Sequence, residues 1–407
     1  MPGSPRGVNR VRRNQTIRAA AVMLLALLLV PAASATIIWG PYVTNTTTGS
    51  ATIAWKATGE EPGWVEYSSE GGEVCRVASA GEEGMHRVHL AGLLPATTYR
   101  YRVGTGGATV EDCRFRTFGD RTFTCIIYGD TQGQRPFFTQ TERHGLVAEK
   151  MAGEEDILFV IHTGDFVGDE SEWDEFFALA GPVLGNTTLV PVAGNHDGTA
   201  EVFSAIFGLP PFYSFDAGSL HVTVLDSNDR AWADMERQTA WLEEDLASPL
   251  PRKIVAFHHP PFSSDRKHPG GDLAIRAEWS DILSQNGVDA VFSAHTHAYE
   301  RYRAGGTEYF VVGCGGAPLY PLSGEKPEGY QAGREGTLGY VRATVSPESI
   351  GIEMVPVAEV REDDGVTMHP GGAVIDTVRL PAGTAGGWWS ALASIPGVPE
   401  LFGLWRR

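Results

Sequence analysis

The rhythm of hydrophobic and polar positions changes near residue 120. Across residues 36–119, apolar and polar side chains alternate in short runs: "GSATIAWKA", "GWVEYSS", "EVCRVAS", "MHRVHL", "TTYRYRVGT" and "EDCRFRTF". Alternation rich in β-branched and aromatic residues, with turn signals every few positions, predicts an all-β sandwich over 36–119 with Trp55 in its core. From 120 to 381 apolar strand-like runs alternate with helix-like segments, "FTCIIYGD", "TERHGLVAEKMAG", "ILFVIHTGD", "SEWDEFFALAG" and "TLVPVAGNHD". That β-α-β-α-β order predicts an α/β domain whose sheet is joined by crossover helices. "SLHVTVLDSN", a helix around "QTAWLEEDLAS", "KIVAFHH" and "VDAVFSAHTH" extend it, and four further strand-like runs finish it near residue 381.

Both ends depart from this pattern. Arg6, Arg10, Arg12, Arg13 and Arg18 precede the apolar run "AAAVMLLALLLV", and "PAASA" then closes on an A-x-A pattern at Ala35. Residues 1–35 therefore read as a cleaved export signal, since the run is shorter than the ~20 residues a spanning helix needs. Residues 382–407 form an aromatic tail broken by Gly and Pro, expected to dock on the body and unable to span a membrane. The chain has 32 basic against 50 acidic side chains, a net charge of −18. Such a surface opposes non-specific binding of nucleic acid or anionic lipid, although bound cations can reverse the field locally. An exported protein can form disulfides, and Cys75–Cys113 is a conceivable pair; Cys125 and Cys314 sit in apolar runs as buried thiols. No C-x-x-C spacing points to a thiolate zinc site.

Five strands of the second region end in side chains able to hold a metal. "IIYGD" supplies Asp130, "VIHTGD" Asp165, "PVAGNHD" Asn195, His196 and Asp197, "IVAFHH" His258 and His259, and "VFSAHTH" His295 and His297. Loops beyond the carboxyl ends of strands gather on one edge of an open α/β sheet, where sites form. His295 and His297, two apart, point to one side if the backbone stays extended. Taken one at a time these are ordinary loop or core residues; in this order they predict a metal centre.

The ordered set "GD … GD … NHD … HHP … HTH" resembles the calcineurin-like metallophosphoesterases, and with the β-sandwich and "AHTHAYERY" the chain resembles their purple acid phosphatase branch over 36–381. "LLPATTYRYRV" resembles a strand region of fibronectin type III domains. The resemblance implies a two-sheet αββα sandwich carrying a dinuclear centre, preceded by a fibronectin III-like β-sandwich. It implies that Asp165 bridges two metals, that Asp130 and His297 bind the first, and that Asn195, His258 and His295 bind the second. His258 is preferred to His259 because the family ligand stands two residues before the proline, here Pro260. Two metals would clamp a phosphoryl oxygen while a metal-held hydroxide attacks phosphorus in line. His196 would stabilise the transition state or protonate the leaving oxygen, with Asp197 orienting its ring.

Departures from the family pattern bear on the first metal. The position of the family's tyrosinate is Gly168, and the histidine of the alternative D-x-H motif is Gln132. The Gln132 oxygen, or a water, is expected to fill the gap, favouring Mn, Fe(II) or Zn over trivalent iron. Ala294 in place of glycine before His295 is a minor change. His268 stands where related enzymes place a substrate-facing histidine. Arg266 and Lys267 could meet a phosphate, a solvated loop charge being the simpler reading. Tyr299, Glu300 and Arg301 either orient the ligand histidines or serve packing, and Asp169 and Asp226 read as structural. The sequence thus points to an exported dinuclear phosphoesterase acting on phosphomonoesters. A phosphodiesterase on nucleotides or lipid head groups is the alternative, with a degenerate surface adhesion or binding protein behind it.

Overall fold

A computed structural model describes Gly3 and residues 35–119, 122–228, 234–361 and 365–381. The export signal expected over 1–35 and the tail expected over 382–407 lie outside the described residues, Gly3 and Ala35 apart. The alternating region forms β1 (Ile37–Thr44), β2 (Ser50–Ala57), β3 (Gly63–Ser69), β4 (Cys75–Ser79), β5 (Met85–Ala91), β6 (Thr98–Thr105) and β7 (Ala108–Arg116). They lie in two antiparallel layers, β1-β2-β5 and β4-β3-β6-β7. Inward positions bury Trp55, Val65, Leu90, Val103 and Phe115 between them. The Trp55 indole keeps its N–H satisfied on Thr105 Oγ1 (2.8 Å), as a buried indole requires.

β1, which alternation did not single out, joins the two regions. Val43 pairs with Thr188 of β10 (Thr188–Pro191) in parallel, so the β1-β2-β5 layer continues a sheet of the second region. Trp39 stacks on Phe177 at 4.9 Å, and Tyr101 donates to the Gly185 carbonyl at 2.8 Å. Buried on both faces over its second half, "PYVT" has no polar face to show.

The conceivable Cys75–Cys113 pair does not form: all four cysteines are free. Cys75 pairs across to Tyr67, Tyr67 to Tyr101, and Tyr101 to Cys113. The two cysteines therefore stand three strands apart, roughly 14 Å at the usual strand spacing, beyond the reach of a disulfide.

The second region continues as β8 (Phe123–Tyr128), α1 (Gln140–Ala152), β9 (Ile157–His162), α2 (Trp173–Leu184), β10, α3 (Ala200–Phe207), β11 (Tyr213–Ala217), β12 (Leu220–Val224), α4 (Met235–Asp245), β13 (Arg252–Ala256), α5 (Leu273–Gln285) and β14 (Ala290–Ser293). There follow β15 (Tyr299–Ala304), β16 (Thr307–Val312), β17 (Tyr330–Arg334), β18 (Thr337–Val345), β19 (Ser349–Val360), β20 (Val366–Met368) and β21 (Asp376–Pro381). One sheet runs β20-β19-β18-β8-β9-β10-β1-β2-β5, with β21 also on β19; the other runs β11-β12-β13-β14-β16-β15-β17. Their inner faces bury Ile127, Phe159, Ile161, Val222, Ile254 and Phe292 in one core. Helices α1 and α2 cover the first sheet through Val147, Met151, Phe176 and Phe177, and α4 and α5 the second through Leu242, Trp279 and Leu283. This is the two-sheet αββα sandwich, behind an all-β module, that the family resemblance implies. Local signals agree: Thr139 N–H meets Glu142 Oε2 (2.7 Å) in a capping box, and Asp272 caps α5 through Ala274 and Ile275 N–H (2.9 Å each).

Candidate metal centre

Parallel strands β8, β9 and β10 of one sheet and β13 and β14 of the other end at the same edge. The chain turns sharply there. Asp130, Asp165 and His295 all have left-handed backbone, φ 54°, 55° and 62°. Such conformations cost a non-glycine residue about 1–3 kcal/mol and persist where the surroundings over-determine them. Asp130 N–H donates to the Gly164 carbonyl (3.0 Å) and Thr131 N–H to that of Asp165 (2.9 Å), tying neighbouring loops together. Gly194 must be glycine, since a Cβ there would lie 2.1 Å from Asp165 N.

Two groups of ligand-capable side chains result. Asp130, Asp165 and His297 form one, all buried; His258, His259 and His295 form the other, with only His258 fully buried. Asn195 belongs with the second, its Oδ1 3.1 Å from His258 Nε2 and 2.9 Å from His295 Nδ1. Asp165 stands between them, its Oδ2 3.4 Å from His258 Nε2 and 3.3 Å from Gln132 Nε2. His258 Nδ1 faces the Thr163 carbonyl (2.9 Å) and His297 Nδ1 that of Pro318 (2.7 Å), which turns each Nε2 toward the centre as metal-held histidines require.

The electrostatics fit a cation. Both Asp130 oxygens and Gln132 Oε1 are buried without a hydrogen-bond partner, an arrangement expensive for a carboxylate unless a positive charge meets it. Burial pushes the Asp130 carboxyl well above its usual range. Burial also works against Asp165, yet the neighbouring His258 charge wins and holds it low. Burial opposes charge on His258 too, but Asp165 and Asp130 together raise it to about 9. Burial takes His297 down to about 4 and His295 lower still, leaving neutral nitrogens free to ligate. Carboxylate, amide and imidazole without thiolate suit borderline divalent ions such as Mn, Fe(II) or Zn.

Two expectations need correction. Asp197 does not orient the His196 ring. It is buried, and its carboxylate accepts the backbone N–H groups of Asp165 (2.9 Å), Phe166 (2.8 Å) and Gly194 (2.8 Å), clamping two ligand loops. His196, half-exposed, instead sets Nδ1 3.3 Å from the Gly168 carbonyl and Nε2 4.0 Å from Asp165 Oδ2. Nor is the His295–His297 stretch extended. Thr296 N–H bonds Ala294 O (2.6 Å) and Ala298 N–H bonds Thr296 O (2.7 Å), two successive three-residue turns that send the histidines into different groups.

The other candidates are placed as follows. A Cβ at Gly168 would lie 3.6 Å from the Gln132 Cβ, so both positions open on the same space. His268 lies with its ring 4.6 Å from that of His295, held through Nδ1 by Asp265 (3.1 Å). Tyr299 and Arg301 both bind Asp376 and hold strands rather than histidines. Asp226 caps Asn228, and Asp169 caps Ser171. Sequence reasoning passed over His259, whose Nδ1 rests on Ser227 Oγ (3.0 Å), and Tyr320, whose ring stacks on His297 at 4.1 Å. It also missed Glu172, which receives the Gly168 and Gly133 N–H groups (2.8 and 3.2 Å). The double histidine was a visible signal for His259; Tyr320 and Glu172 had none.

Comparison with known proteins agrees with this geometry. Residues 123–299 match the calcineurin-like phosphoesterase family and residues 39–117 the purple acid phosphatase N-terminal domain. Purple acid phosphatase 22 of Arabidopsis thaliana is 26% identical over 61% of this chain and 58% of its own length. Purple acid phosphatase 23 of the same plant is 29% identical over 57% and 62%. The chain thus spans about three fifths of the length of these curated relatives. Among solved structures, the purple acid phosphatase PPD1 from yellow lupin (Lupinus luteus) superposes with a TM-score of 0.68 at 18% identity, covering 84% of this chain and 74% of that one. The chain thus carries a calcineurin-like phosphoesterase domain, an αββα core with ligand-capable strand ends, behind a purple acid phosphatase N-terminal domain.

Proposed function

We propose that the protein is an exported, dinuclear metal-dependent phosphoesterase whose substrates are phosphomonoesters. The observation that carries this reading is the pair of neighbouring ligand groups, Asp165 Oδ2 of one lying 3.4 Å from His258 Nε2 of the other, with both Asp130 oxygens buried and unpartnered. Asp130, Asp165, His297 and Gln132 would hold one ion, and Asp165, Asn195, His258 and His295 the other. Divalent ions there supply Lewis acidity and a nucleophile usable near neutral pH. Gln132 enters the set because it opens on the space a residue-168 side chain would use, and turning its carboxamide over exchanges Nε2 for Oε1. His196 is the group for the leaving oxygen, accessible to solvent and beside Asp165. His268, next to His295, faces the substrate side. Export rests on the basic, apolar and A-x-A order of residues 1–35. No helix among the described residues is long and apolar enough to cross a membrane.

The test is hydrolysis of p-nitrophenyl phosphate and bis-p-nitrophenyl phosphate by protein stripped of metal and reloaded with Mn, Zn or Fe(II). Turnover that depends on metal and is lost in Asn195→Ala and His196→Ala supports the reading. Absence of turnover together with weak or single-ion binding would replace it with a degenerate binding protein.

A further inference from the structure

We propose that Lys267 makes this centre selective for dianionic phosphomonoesters over monoanionic diesters, an inference that rests on the phosphoesterase reading above. Two buried carboxylates fix the loop between β13 and α5 in place. Glu300 of β15 accepts Ser263 Oγ (2.9 Å), Ser264 N–H (2.9 Å) and the Tyr302 hydroxyl (2.6 Å). Asp265 accepts the backbone N–H of Lys267 and that of His268 (3.0 Å), and meets His268 Nδ1 at 3.1 Å. Hydrogen bonds to charged, desolvated acceptors are the strong ones, so this loop is far better anchored than its polar sequence suggests.

The anchored loop carries Lys267 beside the rim of the centre. Lys267 Nζ lies 3.7 Å from the centroid of the Tyr320 ring, within the range of a cation–π contact. That ring stacks on His297 at 4.1 Å and 18°, and His297 belongs to the group formed with Asp130 and Asp165. Lys267 thus stands one ring away from the first ligand group, on the same rim as His268. A monoester at neutral pH carries about one more negative charge than a diester, and that charge sits on the phosphoryl oxygens. An ammonium on this rim favours the more highly charged ester.

The experiment compares wild type, Lys267→Gln and Lys267→Arg, each loaded with Mn. Kinetic constants for both nitrophenyl esters, the Kd of inorganic phosphate by calorimetry and bound metal by mass spectrometry are measured. Lys267→Gln is expected to raise the monoester KM and the phosphate Kd by about 10–100-fold. It should leave the diester within about 2-fold and the metal content unchanged, and Lys267→Arg should restore most of the monoester preference. Equal losses on both esters, no loss on either, or altered metal content would overturn the assignment. If wild type hydrolyses neither ester, the phosphoesterase reading fails separately; the phosphate arm still decides, because a Kd unchanged by Lys267→Gln, or no phosphate binding at all, rejects Lys267.

Discussion

Asp130, Asp165 and His297 are all buried and rich in carboxylate; His258, His259 and His295 are rich in imidazole, and only His258 of these is fully buried. An ion lost from the deep group leaves two desolvated carboxylates facing each other, whereas an ion lost from the shallow group leaves imidazoles that burial already holds neutral at His259 and His295. The exception is His258, which the two carboxylates keep protonated and which thereby stands in for a cation. One carboxylate, Asp165, ties the groups together. On the proposed reading the deep group would depend on its ion for stability, and the shallow one, beside exposed Asn195 and His196, would be the face a substrate meets.

The sharpest way to break this contrast is to remove the shared residue. Asp165→Asn should lower kcat by about 10³-fold or more, as loss of a member of a concerted set does, with both ions weakened. Gln132→Ala should weaken only one ion, raising the Kd of the deep group about 10–100-fold in a calorimetric titration while the shallow ion is kept. Full retained affinity would remove Gln132 from the ligand set. Asp130→Asn should divide by state: metal-free protein gains about 1–3 kcal/mol from losing an unpartnered buried carboxylate, and loaded protein loses stability, both read by thermal melts.

Acidity tests the shallow group. With His258 near 9 in the metal-free protein, an incoming ion displaces its proton at pH 6–8. Metal affinity should therefore rise with pH through that range, with proton release detectable in two buffers, and His258→Gln should flatten the slope. The smallest effect is expected at Asp197→Asn, about 1–3 kcal/mol of stability with the pH–rate profile unmoved, since this carboxylate holds backbone rather than His196. A displaced acidic limb at unchanged stability would restore the catalytic role.

Much of this was legible because the chemistry sits where apolar runs stop. "IIYGD", "VIHTGD" and "VFSAHTH" announce strand and ligand in one stretch. What stayed hidden depends on directions that spacing does not carry. Asp197 follows His196 in the chain, yet the turn at Gly194 aims its carboxylate backwards onto Asp165 and Phe166. His295 and His297 diverge because the left-handed residue between strand and loop breaks the alternation assumed for them. β1 escaped because its second half is buried on both faces, and Tyr320 meets Lys267 only through tertiary packing.

Two ions bridged by Asp165 would leave a signature in electron paramagnetic resonance of Mn-loaded protein. Two Mn per chain and an exchange-coupled dinuclear spectrum that Asp165→Asn abolishes are expected. One ion per chain, two uncoupled ions, or a coupled spectrum surviving in Asp165→Asn would contradict the bridge.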